Sequence, residues 1–296
     1  MDIRVLRYFL VVAREENITR AADLLHVTQP TLSRQIMQVE EELGVKLFTR
    51  SNHNIILTDD GMRLRQRAQE IVDLTDKTVR EFTMSDNNLA GEITIGSGEL
   101  HSVHYLAELL SQFHKMHPLV HFVLYSGQAD HIKERMERGL IDVALLSEPV
   151  DMVRYDFMRL PETEEWGILI HEDSPLAKKE SVTPQDLVGV PLIMPQRELI
   201  KSELSSWFGP YADQVEILMT INLQYNAAVL VKHRLGALVT IRLESQYENL
   251  HFIPLSPRLV FGSAIAWKRN QAHSATTTAF IEFIRKYKKS ISSDKI

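Results

Sequence analysis

A chain of 296 residues has room for about two domains, and its 44% hydrophobic, 24% charged composition is that of a soluble globular protein. It has no cysteine, which removes disulfides, thiolate metal sites and cysteine nucleophiles, and no run approaching the roughly 20 apolar residues that cross a bilayer. The net charge of -6 argues against coating of nucleic acid by the whole surface, but a sum says nothing about one face of one domain.

Leu6, Phe9, Leu10 and Ala13 recur at helical spacing and predict a first amphipathic helix. Arg4, Arg7 and Arg14 break its apolar run and no small-residue cleavage site follows, so a cytoplasmic protein is expected. Asn17-Ile18-Thr19 opens a second helix, in which Ala21 and Ala22 let a neighbour approach closely. Val27 and Thr28 form a short joint, and a third helix runs from about Gln29 to Leu43 with Gly44 as its left-handed terminator. Two short helices across a tight joint make a helix-turn-helix pattern. "KLFTR" and "IILT" flank Ser51-Asn52-His53-Asn54, which predicts a hairpin. Thr58 caps a long helix reaching about residue 85, with Asp59 and Asp60 in its first turn. Along it Leu64, Ala68, Ile71, Thr75, Thr78 and Phe82 form a narrow heptad seam. With no neighbouring helix of similar length available, that seam is expected to meet a second copy rather than its own chain.

"SDNNLAGEI" breaks helicity and reads as a hinge near residues 87–91. Strands then alternate with helices: "EITIG", a helix around "HYLAELLSQFHKMH", "VHFVLY", a helix in "HIKERMERG", and "DVALL". Further strands are predicted at "WGILI", "PLIMP", "EILMT", "GALVT" and "GSAIAW", and a closing helix at "TTTAFIEFIRKYKK". This alternation predicts an α/β fold with a parallel sheet and helical crossovers.

At about 100° per residue, Leu32, Ile36, Val39 and Leu43 share the core face of the third helix. Pro30, Arg34, Met37 and Gln38 lie opposite, with Thr31 and Ser33 on the flanks. Thr31, Ser33 and Gln38 can meet base edges or phosphates, and Arg34 can pair with guanine or phosphate. The helix N-terminus adds free amides for a phosphate. Glu40, Glu41 and Glu42 follow where the helix would leave a groove, and are expected to point away. A polar helix surface is ordinary, and Thr28 and Pro30 are common helix-start residues, so this helix alone does not decide. The hairpin, whose Arg50 and His53 could lie along the backbone as a wing, and the dimerising helix after it favour duplex DNA with paired half-sites. The candidate DNA-contacting set is Thr19, Thr28, Gln29, Pro30, Thr31, Ser33, Arg34, Gln38, Arg50 and His53.

The segment "LRYFLVVAREENITRAADLLHVTQPTLSRQIMQVEEELGVKLFTRSNHNIILTDDGMRL" resembles the N-terminal region of LysR-type transcriptional regulators. The resemblance rests on Ala21-Ala22, Thr28-Gln29-Pro30, Leu32-Ser33, Ile36, Glu40, Leu43-Gly44, Leu47-Phe48, Arg50, and Leu57-Thr58 followed by Gly61. "GEITIG", "GLIDVAL" and the chain length fit the family in layout. The resemblance implies a winged helix-turn-helix over 1–58, a linker and dimerisation helix over 59–88, and a two-lobed effector domain over 92–296, like a periplasmic binding protein. Lobe I would comprise 92–161 and 266–296, and lobe II 162–265. It further implies a homotetramer built from dimers, bound to double-stranded DNA near a promoter, switched by a small-molecule effector, with RNA polymerase as a candidate contact.

Ligands in open α/β folds sit at the carboxyl ends of strands, where loops meet helix N-termini. That selects "GSGELHS", "SGQAD", "PQRE" and "NLQYN", and the family similarly uses these loops. The candidate effector residues are Ser97, Gly98, Glu99, Ser126, Gln128, Gln196, Arg197, Gln224 and Asn226. The Ser and Gln donors with Arg197 suit a carboxylate, whereas Glu99 suits an amine or a hydroxyl-rich ligand, and any single residue could instead cap a helix.

Other constellations carry less. His114, His117 and His121 invite a metal reading, but Pro118 ends the helix between them, and no metal is expected. Gly96-Ser97-Gly98 lacks the third glycine of a dinucleotide fingerprint, and Asp59-Asp60 suits a helix start better than acid–base catalysis. No Gly-rich phosphate loop or Ser/His/Asp arrangement speaks for an enzyme, and no cofactor is implied. A transport binding protein is disfavoured by the helix-turn-helix.

Overall fold

The computed structural model describes residues 1–51, 54–82, 89–243 and 247–293, which form two compact units, Met1–Met84 and Ser85–Ile296. His53 and the first two residues of the expected hinge lie outside the described residues.

The first unit holds α1 (Ile3–Glu15), α2 (Ile18–Leu24), α3 (Gln29–Leu43), the hairpin β1 (Phe48–Ser51) and β2 (Asn54–Leu57), and α4 (Asp59–Phe82). The local signals explain these boundaries. Asn17 accepts from the Arg20 amide at 3.0 Å to start α2, and Gly44 takes the left-handed conformation, φ 67°, that ends α3. Phe48 pairs with Leu57 and Ser51 with Asn54 across the antiparallel hairpin. Thr58 starts α4, accepting from the Gly61 amide at 3.0 Å while donating to the Lys46 carbonyl at 2.6 Å. Gly61 itself is demanded by packing, because a Cβ there would sit 2.1 Å from the Leu47 carbonyl oxygen. Leu6, Phe9, Ala21, Ala22, Leu32, Ile36 and Leu47 fill the core.

Two expectations need correction in this unit. Leu43 is 43% exposed, and its place on the inner face of α3 belongs to Glu40, only 8% exposed. Glu40 stands one turn after Ile36, and beyond Gly44 the chain folds back over it. Its carboxylate accepts from the Leu47 amide at 2.9 Å, the Phe48 amide at 3.4 Å and Lys46 Nζ at 2.6 Å. Burial works to raise its pKa, but these bonds outweigh it and hold the group below the usual carboxylate range. Glu41 and Glu42 do point outward. The seam of α4 is also not reserved for a second copy. Ala68 and Val72 are buried and Leu64 is partly buried in the core of α1 and α3, and Arg7 of α1 pairs with Asp76. Ile71, Leu74 and Val79 are left exposed.

The second unit is built on a continuous sheet of order β4-β3-β5-β11-β6-β9-β7-β8, with β10 also paired to β6. Lobe I contains β3 (Gly91–Ser97), α5 (Val103–Met116), β4 (Val120–Ser126), α6 (Ala129–Glu137) and β5 (Val143–Ser147). β6 (Tyr155–His171) then crosses into lobe II, which holds β7 (Pro191–Pro195), α7 (Glu198–Phe208), β8 (Glu216–Ile221), α8 (Gln224–Lys232), β9 (Ala237–Ile241) and β10 (Leu250–Pro254). β11 (Val260–Lys268) returns, and α9 (Ala275–Ser293) closes lobe I. Each lobe sandwiches its sheet. In lobe I, Phe113 of α5 and Phe280 of α9 pack with Ile93, Ile95 and Val143, while Ile132 and Met136 of α6 cover Ala144 and Leu146 on the other face. In lobe II, Ile200 and Leu204 of α7 pack with Leu192 and Val239, while Ala227 and Val231 of α8 cover Ile193 and Leu238.

The sheet is mixed rather than parallel. β3 pairs parallel with β4 and β5, and β7 with β8 and β9, but β6 and β11 run antiparallel to each other. Outgoing and returning crossings between two lobes must oppose. β6 is also far longer than "WGILI": its first half pairs with β11, and its second with β9 and β10. Pro161 and the charged residues of the first half disguise it as a loop.

Candidate functional site

Two surfaces gather the candidate residues, one in each unit. On α3, Thr28 occupies the cap position and Pro30 the first turn. Thr28, Gln29, Pro30, Thr31, Arg34 and Gln38 are exposed, Ser33 is half-buried, and Thr19 is exposed on α2. The Thr28 and Thr31 hydroxyls lie 2.8 Å apart, and Gln29 donates to Ser33 at 3.1 Å, so the N-terminal turn is ordered by its own side chains. Among the described residues Arg34 has no carboxylate partner, leaving its charge uncommitted. The Arg50 backbone pairs with Ile55 in the hairpin. Glu40 was not anticipated as a contributor, yet it ties the inner face of α3 to the start of β1 and so sets where the helix surface stands.

In the second unit a cavity of about 130 Å³ opens between the lobes. Gly98, Glu99, Gln128, Arg197 and Gln224 line it. Ser97 and Ser126 line a neighbouring cavity instead, and the buried Ser97 hydroxyl donates to the Gly98 carbonyl at 2.8 Å. Gln196 and Asn226 are exposed outside both linings. Sequence reasoning missed Ser147, Trp166 and Thr240, and took Asn222 only as part of a loop. Ser147 ends β5 as Ser97 ends β3, so the strand-end rule extended to β5 would have found it. Trp166 and Thr240 lie inside β6 and β9 and gave no local signal. Leu100, Leu146, Ile200, Ile221 and Val239 make the rest of the wall apolar.

Charged groups cross this cleft in both directions. Arg197, the buried residue before α7, donates from lobe II to the Pro149 carbonyl at 2.7 Å, and to the Ser147 carbonyl and Asp130 at 3.4 Å. Glu99 of lobe I accepts from the backbone amide of Gln224, the first residue of α8. No side chain at the preceding Leu223 caps that helix. Trp166 is 6% exposed, and its indole N–H is buried with no acceptor among the described residues. Where β6 and β11 cross between lobes, the fully buried Glu164 accepts from the His101 amide at 2.8 Å, the Ser102 amide at 3.2 Å, and the Ser102 and Ser263 hydroxyls at 2.6 Å each. No helix among the described residues is long and apolar enough to cross a membrane.

Comparison with known proteins covers both surfaces. Residues 3–62 match the family model for bacterial regulatory helix-turn-helix proteins of the lysR family, and residues 86–289 match the LysR substrate binding domain. The chain is 30% identical over 196 residues to the uncharacterised transcriptional regulator YvbU of Bacillus subtilis, an alignment spanning 66% of each chain. It is 30% identical over 195 residues to the DNA-binding transcriptional dual regulator OxyR of Escherichia coli, covering 66% of this chain and 63% of that one. These alignments span just under two thirds of the relatives' own length. Among solved structures, CbnR complexed with its target DNA superposes with a TM-score of 0.76 at 20% identity, covering 97% of this chain and 99% of that one. Full-length BenM superposes with a TM-score of 0.53 at 25% identity, covering 99% and 98%.

Proposed function

The chain belongs to the LysR family of bacterial helix-turn-helix transcription regulators, and from that premise we propose that it reads a specific duplex operator with α3 and couples that binding to a small molecule held between its two lobes. The family consists of regulators and not enzymes. The observation that carries the reading is the split along α3. Its inner face is spent on the core through Leu32, Ile36, Val39 and Glu40, while its first turns present Thr28, Gln29, Thr31 and an uncommitted Arg34. Short polar side chains and one arginine at a helix N-terminus supply phosphate contacts for position and a guanidinium for a base edge. Ile71 and Leu74, exposed on α4, are where a second copy would pair to bring two half-sites together, and pairs of such dimers would form a tetramer. RNA polymerase is the neighbour a promoter-bound complex would meet.

Several relatives are named as hydrogen peroxide-inducible gene activators. Sensing by thiol oxidation is closed to a chain without cysteine, so we assign the cleft to a reversibly bound ligand instead.

Binding of the full chain to promoter DNA, followed by fluorescence anisotropy across a salt series, tests the reading. Arg34→Ala should weaken specific binding by about 1–3 kcal/mol, roughly 5- to 150-fold, with an unchanged unfolding midpoint. Binding that is absent, or that ignores salt, would sink the proposal.

A further inference from the structure

Resting on the reading of α3 as the helix that enters the major groove, we propose that Met37 is a specificity-determining residue: its thioether packs on the 5-methyl group of a thymine beside the base that Arg34 reads.

One exposed methionine is ordinary on a protein surface, so its place on the helix has to decide. Met37 is 54% exposed and takes no part in the core that Leu32, Ile36 and Val39 fill. It stands one turn after Arg34 and two turns after Pro30. Pro30 and Met37 therefore form an apolar line on one flank of the guanidinium, while Thr31 and Gln38 lie on the other. The polar members of this face are bonded among themselves. The Thr28 and Thr31 hydroxyls share a hydrogen bond at 2.8 Å, Gln29 donates to Ser33 at 3.1 Å, and Gln38 donates to Glu42 at 3.5 Å. Arg34 and Met37 have no such partner among the described residues, so these two long side chains can meet a ligand without first breaking a bond. Leu43, the other exposed large apolar side chain of α3, stands at the Gly44 reversal, far from the N-terminal turns.

The chemistry of the groove selects the occupant. Major-groove base edges carry donors and acceptors, and thymine alone adds an apolar group, its 5-methyl. A thioether donates nothing and accepts weakly, so over a cytosine edge it would cover the N4 amino donor without replacing that donor's bond to water. Over a thymine methyl, both partners give up only apolar surface to water, and its burial is favourable. The unbranched side chain also adjusts to the shape it meets. Three residues advance α3 by about 4.5 Å, against about 3.4 Å per base step, which puts the thymine within roughly two base pairs of the base that Arg34 takes.

The test uses the full chain and a duplex enriched from a randomised pool by the wild type, remade with each thymine in turn replaced by deoxyuridine. That exchange removes one methyl group and leaves every hydrogen-bonding edge unchanged. Affinities are read by fluorescence anisotropy for the wild type, Met37→Ala and Arg34→Ala. At one thymine, deoxyuridine should weaken the wild type about four-fold, the worth of one buried methyl group. Met37→Ala should bind the thymine and deoxyuridine duplexes equally at that position, with an unchanged unfolding midpoint, while Arg34→Ala should weaken both duplexes alike. A wild type indifferent to deoxyuridine at every position overturns the proposal, and so does a methyl preference that survives in Met37→Ala. In either case, an enriched sequence whose binding needs Arg34 leaves α3 as the reading helix. A pool that yields no enriched sequence would sink the reading of α3, and this proposal with it.

Discussion

Glu164 at the lobe crossing and Glu99 at the cleft both serve helix N-termini in the second unit, and neither has a cationic partner among the described residues. They differ in what holds them. Glu164 is fully buried and takes two backbone amides at the start of α5 and two serine hydroxyls, one of them from the returning strand β11. Glu99 is half-buried and takes one amide of α8. A carboxylate whose lone pairs are filled by fixed donors cannot leave without orphaning every donor, whereas one with a single bond can exchange it for water or for a guest. The lobe crossing is therefore built as a fixed joint and the cleft as a movable one. Glu40, with two amides and Lys46, stands between them in the first unit.

The largest effect should come from the fixed joint. Glu164→Ala leaves two amides and two serine hydroxyls without their acceptor, and each buried donor so orphaned costs about 1–3 kcal/mol. Glu164→Gln keeps the shape and some acceptor capacity and should cost less. Denaturant midpoints of the full chain measure both. A loss under about 1 kcal/mol for the alanine variant, on the order of an ordinary surface change, would erase the contrast between the two sites.

How far these sites were legible in the sequence follows from the range of the forces that form them. The cap residue Asn17, the terminator Gly44, the hairpin around Ser51 and Asn54, and the start of α4 at Thr58 each carry a local signal, and each lies where the pattern put it. No local signal marks Glu40, whose burial is decided by amides seven and eight positions downstream that need an acceptor. Helical periodicity placed Leu43 inward because it knows nothing of the reversal at Gly44. The strand-end rule led to Gly98, Glu99, Gln128, Arg197 and Gln224, all of which line the cavity. It could not reach Trp166 or Thr240, which line the cleft from inside β6 and β9 rather than from strand ends. Nor could it tell that Glu99 and Arg197, whose opposite charges made the ligand ambiguous, each reach across to the other lobe.

Glu40 gives the intermediate case and a pH signature. Its pKa is depressed on folding, so its stabilising contribution is present above the unfolded value of 4.5 and is lost as pH falls through the lower folded value. Protection of the Leu47 and Phe48 amides against hydrogen exchange should hold steady from neutral pH down to about 5 and then fall progressively in acid. Glu40→Gln should cost about 1–3 kcal/mol at neutral pH and flatten the acid dependence of those two amides. Unchanged protection in the variant would mean that the bonds to β1 do not hold α3 in place.

The smallest stability effect should belong to Glu99. A glutamine oxygen can still accept from the Gln224 amide, so Glu99→Gln exchanges a charged bond for a neutral one at a half-solvated site and should move the unfolding midpoint by less than about 1 kcal/mol. The sign at low salt is informative as well, because the lost helix-dipole interaction is screened by ions while a packing defect is not. A small, salt-dependent loss fits a group held by one exchangeable bond. A loss as large as that of Glu164→Gln, and indifferent to salt, would make Glu99 a second fixed joint and erase the contrast between the lobe crossing and the cleft.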